Sequence, residues 1–366
     1  MSRPSKFLNR LRRGLCGWCA ALALSIAFEA AAGPPQVGVF YFPGWKDNTV
    51  GLTYPLPWAP IKAYPEREPL LGWYDEGQSS VMEQHLSWMA SHQLSFVVFA
   101  YYWAERPIMA HAVQAYQRSQ GKNRVQYALM WANHDDQRPK TLSEFDGMVD
   151  DLIKNHLARP EYLRVNGKPV LMVMVPQFLE GRTKALARSN GDLTARLQTA
   201  MRRAGLPEVI LLAGAGGGKH EVTQNAKAWG YAGYFAYNYH GGVDGRTQGE
   251  LRSSRSYREL DDGYREHWNW FISKGDLPYV IPMTSGWDMR PWGGSQDKLH
   301  DNSMATPPEF LQHLKAARTL MLANPAKTLS LGVMCCWNEF GEGSYIEPTK
   351  AQGMRYLNAV KSVFEP

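Results

Sequence analysis

Eight short apolar runs, separated by amphipathic stretches, constrain most what this chain can fold into. They are Val37–Phe42, Leu94–Tyr102, Val125–Trp131, Pro169–Val175, Val209–Ala213, Tyr231–Tyr239, Tyr279–Met283 and Leu329–Trp337. None alternates regularly between polar and apolar residues, so each reads as a strand covered on both faces. Helical patterns fall between them. Met82, Leu86 and Met89 share one face; so do Phe145, Met148, Val149, Leu152 and Ile153. Leu193, Leu197 and Met201 mark another helix, and Tyr257, Leu260, Tyr264, Trp268 and Phe271 a further one. Ser80 with Glu83, Thr141 with Glu144, and Thr306-Pro307 with Glu309 have the spacing of helix-starting capping boxes. Strand and helix alternating eight times is the α/β pattern of a (β/α)8 TIM barrel. A doubly wound open sheet shares the periodicity. Residues 33–366 carry no repeat, low-complexity linker or composition shift, and so read as one domain.

In such a barrel, functional groups gather where strands end at the carboxyl face. The strand ends here carry Tyr41 and Trp45; Tyr101 and Trp103; Trp131, Asn133 and His134; and Tyr237, Asn238, Tyr239 and His240. The last two add Trp287, Asp288 and Arg290, then Trp337 and Asn338. Flat rings stack on the apolar faces of sugars, while amide, imidazole and guanidinium groups bond hydroxyls, so this set suits a polyhydroxylated ligand. Singly, each ring also fits rim packing, His134 a structural hydrogen bond, and Asp288–Arg290 a surface ion pair. The recurrence at six strand ends is what points to a site.

The final run leads directly into charge: Asn338, Glu339, Gly341, Glu342, Gly343 and then Glu347. On a continuing strand, two carboxyls three residues apart face opposite ways. In a turn they share a side, and Gly341 with Gly343 would permit the bend. Paired carboxyls suit glycosidic cleavage, in which one is a protonated acid and the other an ionised base or nucleophile. Mutual repulsion raises one pKa and divides the roles. Two solvated loop carboxylates are the plain alternative.

WNEFGEGSYIEP resembles the signature near the last strand of glycoside hydrolase family 99 and its WbsX-like relatives, roughly N-E-W-x-E-G-x-x-I/L-E. The matching positions are Asn338, Glu339, Glu342, Gly343, Ile346 and Glu347; Phe340 stands where the family usually has Trp, and Gly341 where it often has a larger residue. GWDMRPW (286–292) is similar to the strand-seven loop of the WbsX-like proteins, with Met289 replacing an amide, and FYFPGW (40–45) echoes the family's first strand. The resemblance implies a (β/α)8 barrel and retaining hydrolysis through a 1,2-anhydro sugar. In that scheme Glu339 draws the proton from the 2-hydroxyl, and Glu342 protonates the leaving oxygen and later activates water. It further implies sugar contacts from Trp287, Asp288 and Arg290, the last toward a hydroxyl or an acidic sugar, and from a site tyrosine matched loosely by Tyr239. Three readings follow: an exported, endo-acting hydrolase of an extracellular or envelope polysaccharide; a transferase or processing factor of polysaccharide assembly; and a non-catalytic glycan-binding barrel.

Residues 1–32 read as a secretory leader. Arg3, Lys6, Arg10, Arg12 and Arg13 precede an apolar core, Leu15–Phe28, and a small-residue cleavage zone, Ala30–Ala32. The core is short for a membrane span, although an uncleaved anchor is the other option; Arg12-Arg13 hints at twin-arginine export. Removing five basic residues and one acidic one lowers the net charge from +6 to +2, so no nucleic-acid partner is implied. A periplasmic or secreted monomer acting on a polysaccharide or oligosaccharide is expected. Cys16 and Cys19 leave with the leader. Cys335 and Cys336 are expected to point to opposite strand faces as unbridged packing residues. GAGGGKH (214–220) is no phosphate loop, because Ala213 holds the first glycine position and His220 replaces Ser/Thr. His134-Asp135-Asp136 lacks a partner at metal-ligand spacing, so no metal, nucleotide or other cofactor is expected.

Overall fold

A computed structural model describes residues 33–48, 55–134, 137–216, 219–242 and 252–365. The leader at 1–32, Asp135 and Asp136, and most of the Gly241–Gly249 loop lie outside the described residues. Eight parallel strands form the core: β1 Gln36–Tyr41, β2 Leu94–Ala104, β3 Gln126–Trp131, β4 Lys168–Val173, β5 Ile210–Gly214, β6 Gly233–Phe235, β7 Ile281–Thr284 and β8 Leu331–Cys335. They pair in the order β7-β8-β1-β2-β3-β4-β5-β6. Tyr234 bridges Tyr279 in parallel, with Tyr234 N donating to Pro278 O at 2.7 Å and Val280 N to Tyr234 O at 2.9 Å, which joins β6 to β7 and closes the ring. The fold is a TIM barrel, as expected. Only helices can carry the chain back to start each parallel strand, and they cover the sheet's outer face.

Among the described residues, the α-helices longer than four residues are α1 Ser79–Ser91, α2 His111–Arg118, α3 Leu142–Leu152, α4 Asn190–Arg203, α5 Lys219–Asn225, α6 Tyr257–Lys274, α7 Pro307–Ala323 and α8 Arg355–Phe364. The sequence pattern had placed α1, α3, α4, α6 and α7, whereas α2, α5 and α8 emerge only here. All five apolar residues read for α6 are buried. Thr141 caps α3 by accepting from Glu144 N at 3.1 Å, and Thr306 with Glu309 forms a complete capping box on α7. Ser80 and Glu83 do not form one. The first turn of α1 follows Gln78 without a side-chain cap, and Glu83 instead accepts from the backbone of Gln120 and Gly121 beyond α2.

A second correction concerns Cys335 and Cys336, which are disulfide-bonded to each other. The opposite-face expectation holds for a trans strand. Here the joining peptide is cis and the Cα atoms are 3.0 Å apart, so both sulfurs fall on one side. The final apolar run is also shorter as a strand than as a pattern: Leu329 and Ser330 have positive φ, and Trp337 lies past the end of β8.

An aromatic cluster of Phe42, Trp45, Trp58, Ile61, Tyr74, Phe340 and Tyr345 roofs part of the barrel's carboxyl face, with Trp45 and Trp58 stacked at 4.0 Å. Among the described residues no helix is long and apolar enough to cross a membrane. Removing the α3 cap by Thr141→Ala is expected to lower stability by about 1 kcal/mol. Ser80→Ala should change it by less than about 0.5 kcal/mol; urea unfolding of the two variants checks the contrast.

Candidate active site

Past β8 the chain makes a tight hairpin. Asn338–Glu339 pairs antiparallel with Ser344–Tyr345, and Glu342 N donates to Glu339 O at 3.2 Å across the turn. The turn puts both carboxyls on one side, and Glu339 and Glu342 line the same cavity. Gly343, at φ 73°, provides the left-handed step. Gly341 serves differently from what was expected. Its φ is ordinary, but a Cβ there would lie 2.2 Å from the Trp292 indole, so glycine is needed for close approach.

The hairpin is fixed from all sides. The Asn338 amide accepts from Phe42 N and donates to Phe42 O, both at 2.9 Å, tying the end of β8 to the end of β1. Trp45 Nε1 donates to Asn338 O at 2.8 Å. Arg67, only 2% exposed, donates to Phe340 O at 2.7 Å and Asp288 O at 3.0 Å, and pairs with the Asp288 carboxylate at 2.5 Å. Asp288 N donates to Glu342 O at 2.7 Å, and Ser344 bonds Gly286 O. Sequence reasoning missed Arg67, since one arginine in a proline-rich loop carries no periodic signal.

The cavity holds about 490 Å³ at the carboxyl ends of the strands, enough for a sugar ring and its neighbour. Of the residues expected at the site, His134, Tyr237, Asn238, His240, Glu339 and Glu342 line it. Tyr102, Phe42 and Trp292 also line it and were not foreseen. The remainder stand elsewhere. Tyr41 bonds His85 of α1, Tyr101 bonds Asp151, and Trp131 packs on Phe178 and bonds Gln137 O. Trp103 lies beside Tyr101, and Tyr239 bonds Tyr279 and stacks on His267. All five face the helices. Successive strand residues alternate between lumen and helix layer, and a run apolar on both faces does not say which is which. Ala100 and Tyr102 of β2 point inward, so Tyr101 and Trp103 cannot.

Other expected ligands act as braces. The Asn133 amide donates to Val175 O and accepts from Val175 N, joining the ends of β3 and β4. Trp45, Trp337 and Asn338 are buried in the packing around the hairpin. Asp288 is held below the usual carboxylate range, despite its burial, by Arg290 and Arg67. Arg290 is occupied by that carboxylate and by the face of Tyr64, outside the cavity wall. Trp287 stands behind His240, with ring centroids 4.1 Å apart. Glu347 is sealed off, 1% exposed, accepting from the Tyr74 hydroxyl at 2.6 Å and facing His85 Nε2 at 3.2 Å.

Burial and the charge of Glu342 push the Glu339 carboxyl well above the ordinary range, while the Tyr237 hydroxyl, donating to Glu339 Oε1 at 2.7 Å, acts in the opposite direction. Glu339 Oε2 has no hydrogen-bond partner among the described residues. Burial raises Glu342 to about 7. Two carboxyls so placed hold one proton between them near neutrality, which gives an acid and a base in one cleft. Asp75, Glu76 and His111 are the described cluster with metal-ligand atoms within 4.8 Å of one another, but Lys46 and His111 already pair its two carboxylates at 3.1 and 2.7 Å.

A carboxyl whose pKa rises on folding binds protons more tightly folded than unfolded, so stability falls as pH rises through the interval between the two values. Melting temperature should therefore drop between about pH 4.5 and 7, with Glu342→Gln flattening the slope; thermal scans across that range test it. Gly341→Ala, which drives a methyl into Trp292, should lower stability by about 1–3 kcal/mol, read by urea unfolding.

The chain is thus a (β/α)8 barrel with two paired acids in the cavity at its carboxyl face. The family model described as "Glycosyltransferase WbsX" matches residues 63–360, and the chain belongs to that family. No curated protein matches. Among solved structures, a "Glycoside hydrolase-like protein" is 14% identical, with 91% of this chain and 94% of that one covered at a TM-score of 0.66. The family 99 endo-α-mannosidase of Bacteroides thetaiotaomicron is 10% identical, with 90% and 96% covered at 0.60. A β-glucosidase of Thermotoga maritima is 10% identical, with 91% and 99% covered at 0.51. At these identities the likeness is one of fold.

Proposed function

We propose that this protein is an exported glycoside hydrolase that cleaves within a polysaccharide, with Glu339 and Glu342 as its catalytic carboxyls. The observation that carries this is the hairpin, which brings both acids to one sugar-sized cavity and raises both pKa values. Endo-α-mannosidase is the printed activity of one structural neighbour, and the motif around Glu339 resembles that family. The leader supports export, as does the Cys335–Cys336 bridge, since disulfides persist in oxidising compartments.

In the mechanism that the resemblance supports, Glu339 takes the proton from the sugar's 2-hydroxyl as O2 bonds to C1. Glu342 gives its proton to the leaving oxygen as the C1–O bond breaks. Water then adds at C1, giving a proton to Glu342, while the C1–O2 bond opens and O2 recovers its proton from Glu339. Each carboxyl ends as it began, and C1 keeps its configuration after two inversions. The Tyr237 hydroxyl favours ionised Glu339, but burial and the Glu342 charge outweigh it, so the base role of Glu339 rests on the resemblance alone. Burial first, and then the charges of Glu339 and Glu342, push the Tyr102 hydroxyl up, and it would bond the sugar beside them.

Glu339→Gln and Glu342→Gln should each lower turnover by about 10²–10⁴-fold while binding of a glycan product persists. Oligosaccharide release from a polysaccharide panel, wild type against each variant, checks this, and full activity in both would refute the pair. The family's name, a glycosyltransferase, favours a second reading, glycosyl transfer. Incubation with glycan, with and without an activated sugar donor, separates the two, because a hydrolase releases reducing ends in both arms.

A further inference from the structure

From the wall opposite the two acids we infer the class of sugar the site takes: a neutral 6-deoxyhexose, whose C5 carries methyl instead of hydroxymethyl. This rests on the hydrolase reading above and goes beyond it in naming the substrate. In an eight-stranded barrel, the ends of β3 and β4 lie across the lumen from the end of β8. The acids follow β8, so the face opposite them is built by Met130 of β3 and Met174 just past β4, with Ala100 of β2 and Phe235 of β6 beside them. None of these four side chains can bond a hydroxyl; His134, past the end of β3, also lines the cavity on this side but is exposed to solvent. When C1 and C2 of a bound ring face Glu342 and Glu339, its C4–C5 edge must point at that wall.

A hydroxymethyl group buried there would lose water without gaining a partner, whereas a methyl fills the space at no such cost. An N-acetyl group would need an amide partner, and the Asn238 amide is already engaged by Ser344 and Tyr264. A carboxylate on the sugar would face two acids. The arginines nearest the hairpin, Arg67 and Arg290, are both bound to Asp288. The expectation that Arg290 reads an acidic sugar is thereby replaced.

The test uses pairs that differ only at C6 and have the 1,2-trans arrangement the mechanism needs: methyl α-L-rhamnoside against methyl α-L-mannoside, and methyl β-L-fucoside against methyl β-L-galactoside. Affinities for wild type and Glu342→Gln are read by ligand-observed NMR titration. The 6-deoxy member of the better-bound pair should bind about 10–100-fold tighter. Ala100→Ser, which places a hydroxyl on the apolar wall, should shrink that ratio at least about threefold. Glu342→Gln should leave it unchanged. Equal or tighter binding of the hydroxymethyl partner to wild type overturns the inference whether or not the serine variant folds. If hexose polymers are cleaved without that preference, the hydrolase reading stands and the sugar assignment falls. Absence of both binding and cleavage in every arm sinks both.

Discussion

The Asn338 side chain bonds both polar atoms of the Phe42 backbone, at a point where β8 and β1 have run out of strand pairing. An amide presents a donor and an acceptor on neighbouring atoms, as a peptide group does, so it can stand in for a ladder partner. Because the bond is fully buried, leaving Phe42 unpaired there would cost about 1–3 kcal/mol per group. The neighbouring residue inherits the constraint. With Asn338 anchored, Glu339 turns to the lumen, and the hairpin that follows carries Glu342 to the same wall. The first and last strands of the barrel are thus locked together at the corner that carries the two acids.

The far end of the hairpin is governed by Arg67. A guanidinium only 2% exposed depends on protein partners, and here two backbone carbonyls and the Asp288 carboxylate take three of its five N–H groups. Asp288 then spends its own backbone N–H on Glu342 O. One buried ion pair therefore sets the height of the turn between the acids, and a residue in the loop after β1 orients groups nearly three hundred positions later. The aromatic cluster around Trp45 and Trp58 excludes water from this scaffold. Burial of Glu339 and Glu342 themselves raises those two carboxyls, whereas Asp288 is held low by its arginines.

Much of the fold was legible because it rests on local pattern. Runs covered on both faces and capped helices such as α7 reflect burial and backbone satisfaction, which short segments display on their own. The acid pair was legible too, since two glutamates beside glycines after a buried strand leave few other uses. The cavity wall was not. Tyr101, Tyr102 and Trp103 look equivalent on paper, and only the barrel's register decides that Tyr102 faces the cavity while its neighbours meet α3. The same ambiguity turned Tyr239 and Trp131 outward. Asn133, Asn338 and Glu347 went astray for a different reason. A polar residue at a strand end bonds either a ligand or a frayed backbone, and composition does not distinguish them.

Taken alone, the order of residues determined that this chain alternates strand and helix eight times and ends in two acids on a bend. These follow from interactions spanning a few positions: burial on both faces, capping and turn chemistry. Tertiary structure decided which side of each strand sees the lumen, which polar groups brace and which remain open, and that Cys335 and Cys336 share one face. Those outcomes depend on closing the ring. Closure sets inside against outside for every strand at once, and it brings Phe42 and Asn338 within hydrogen-bond reach.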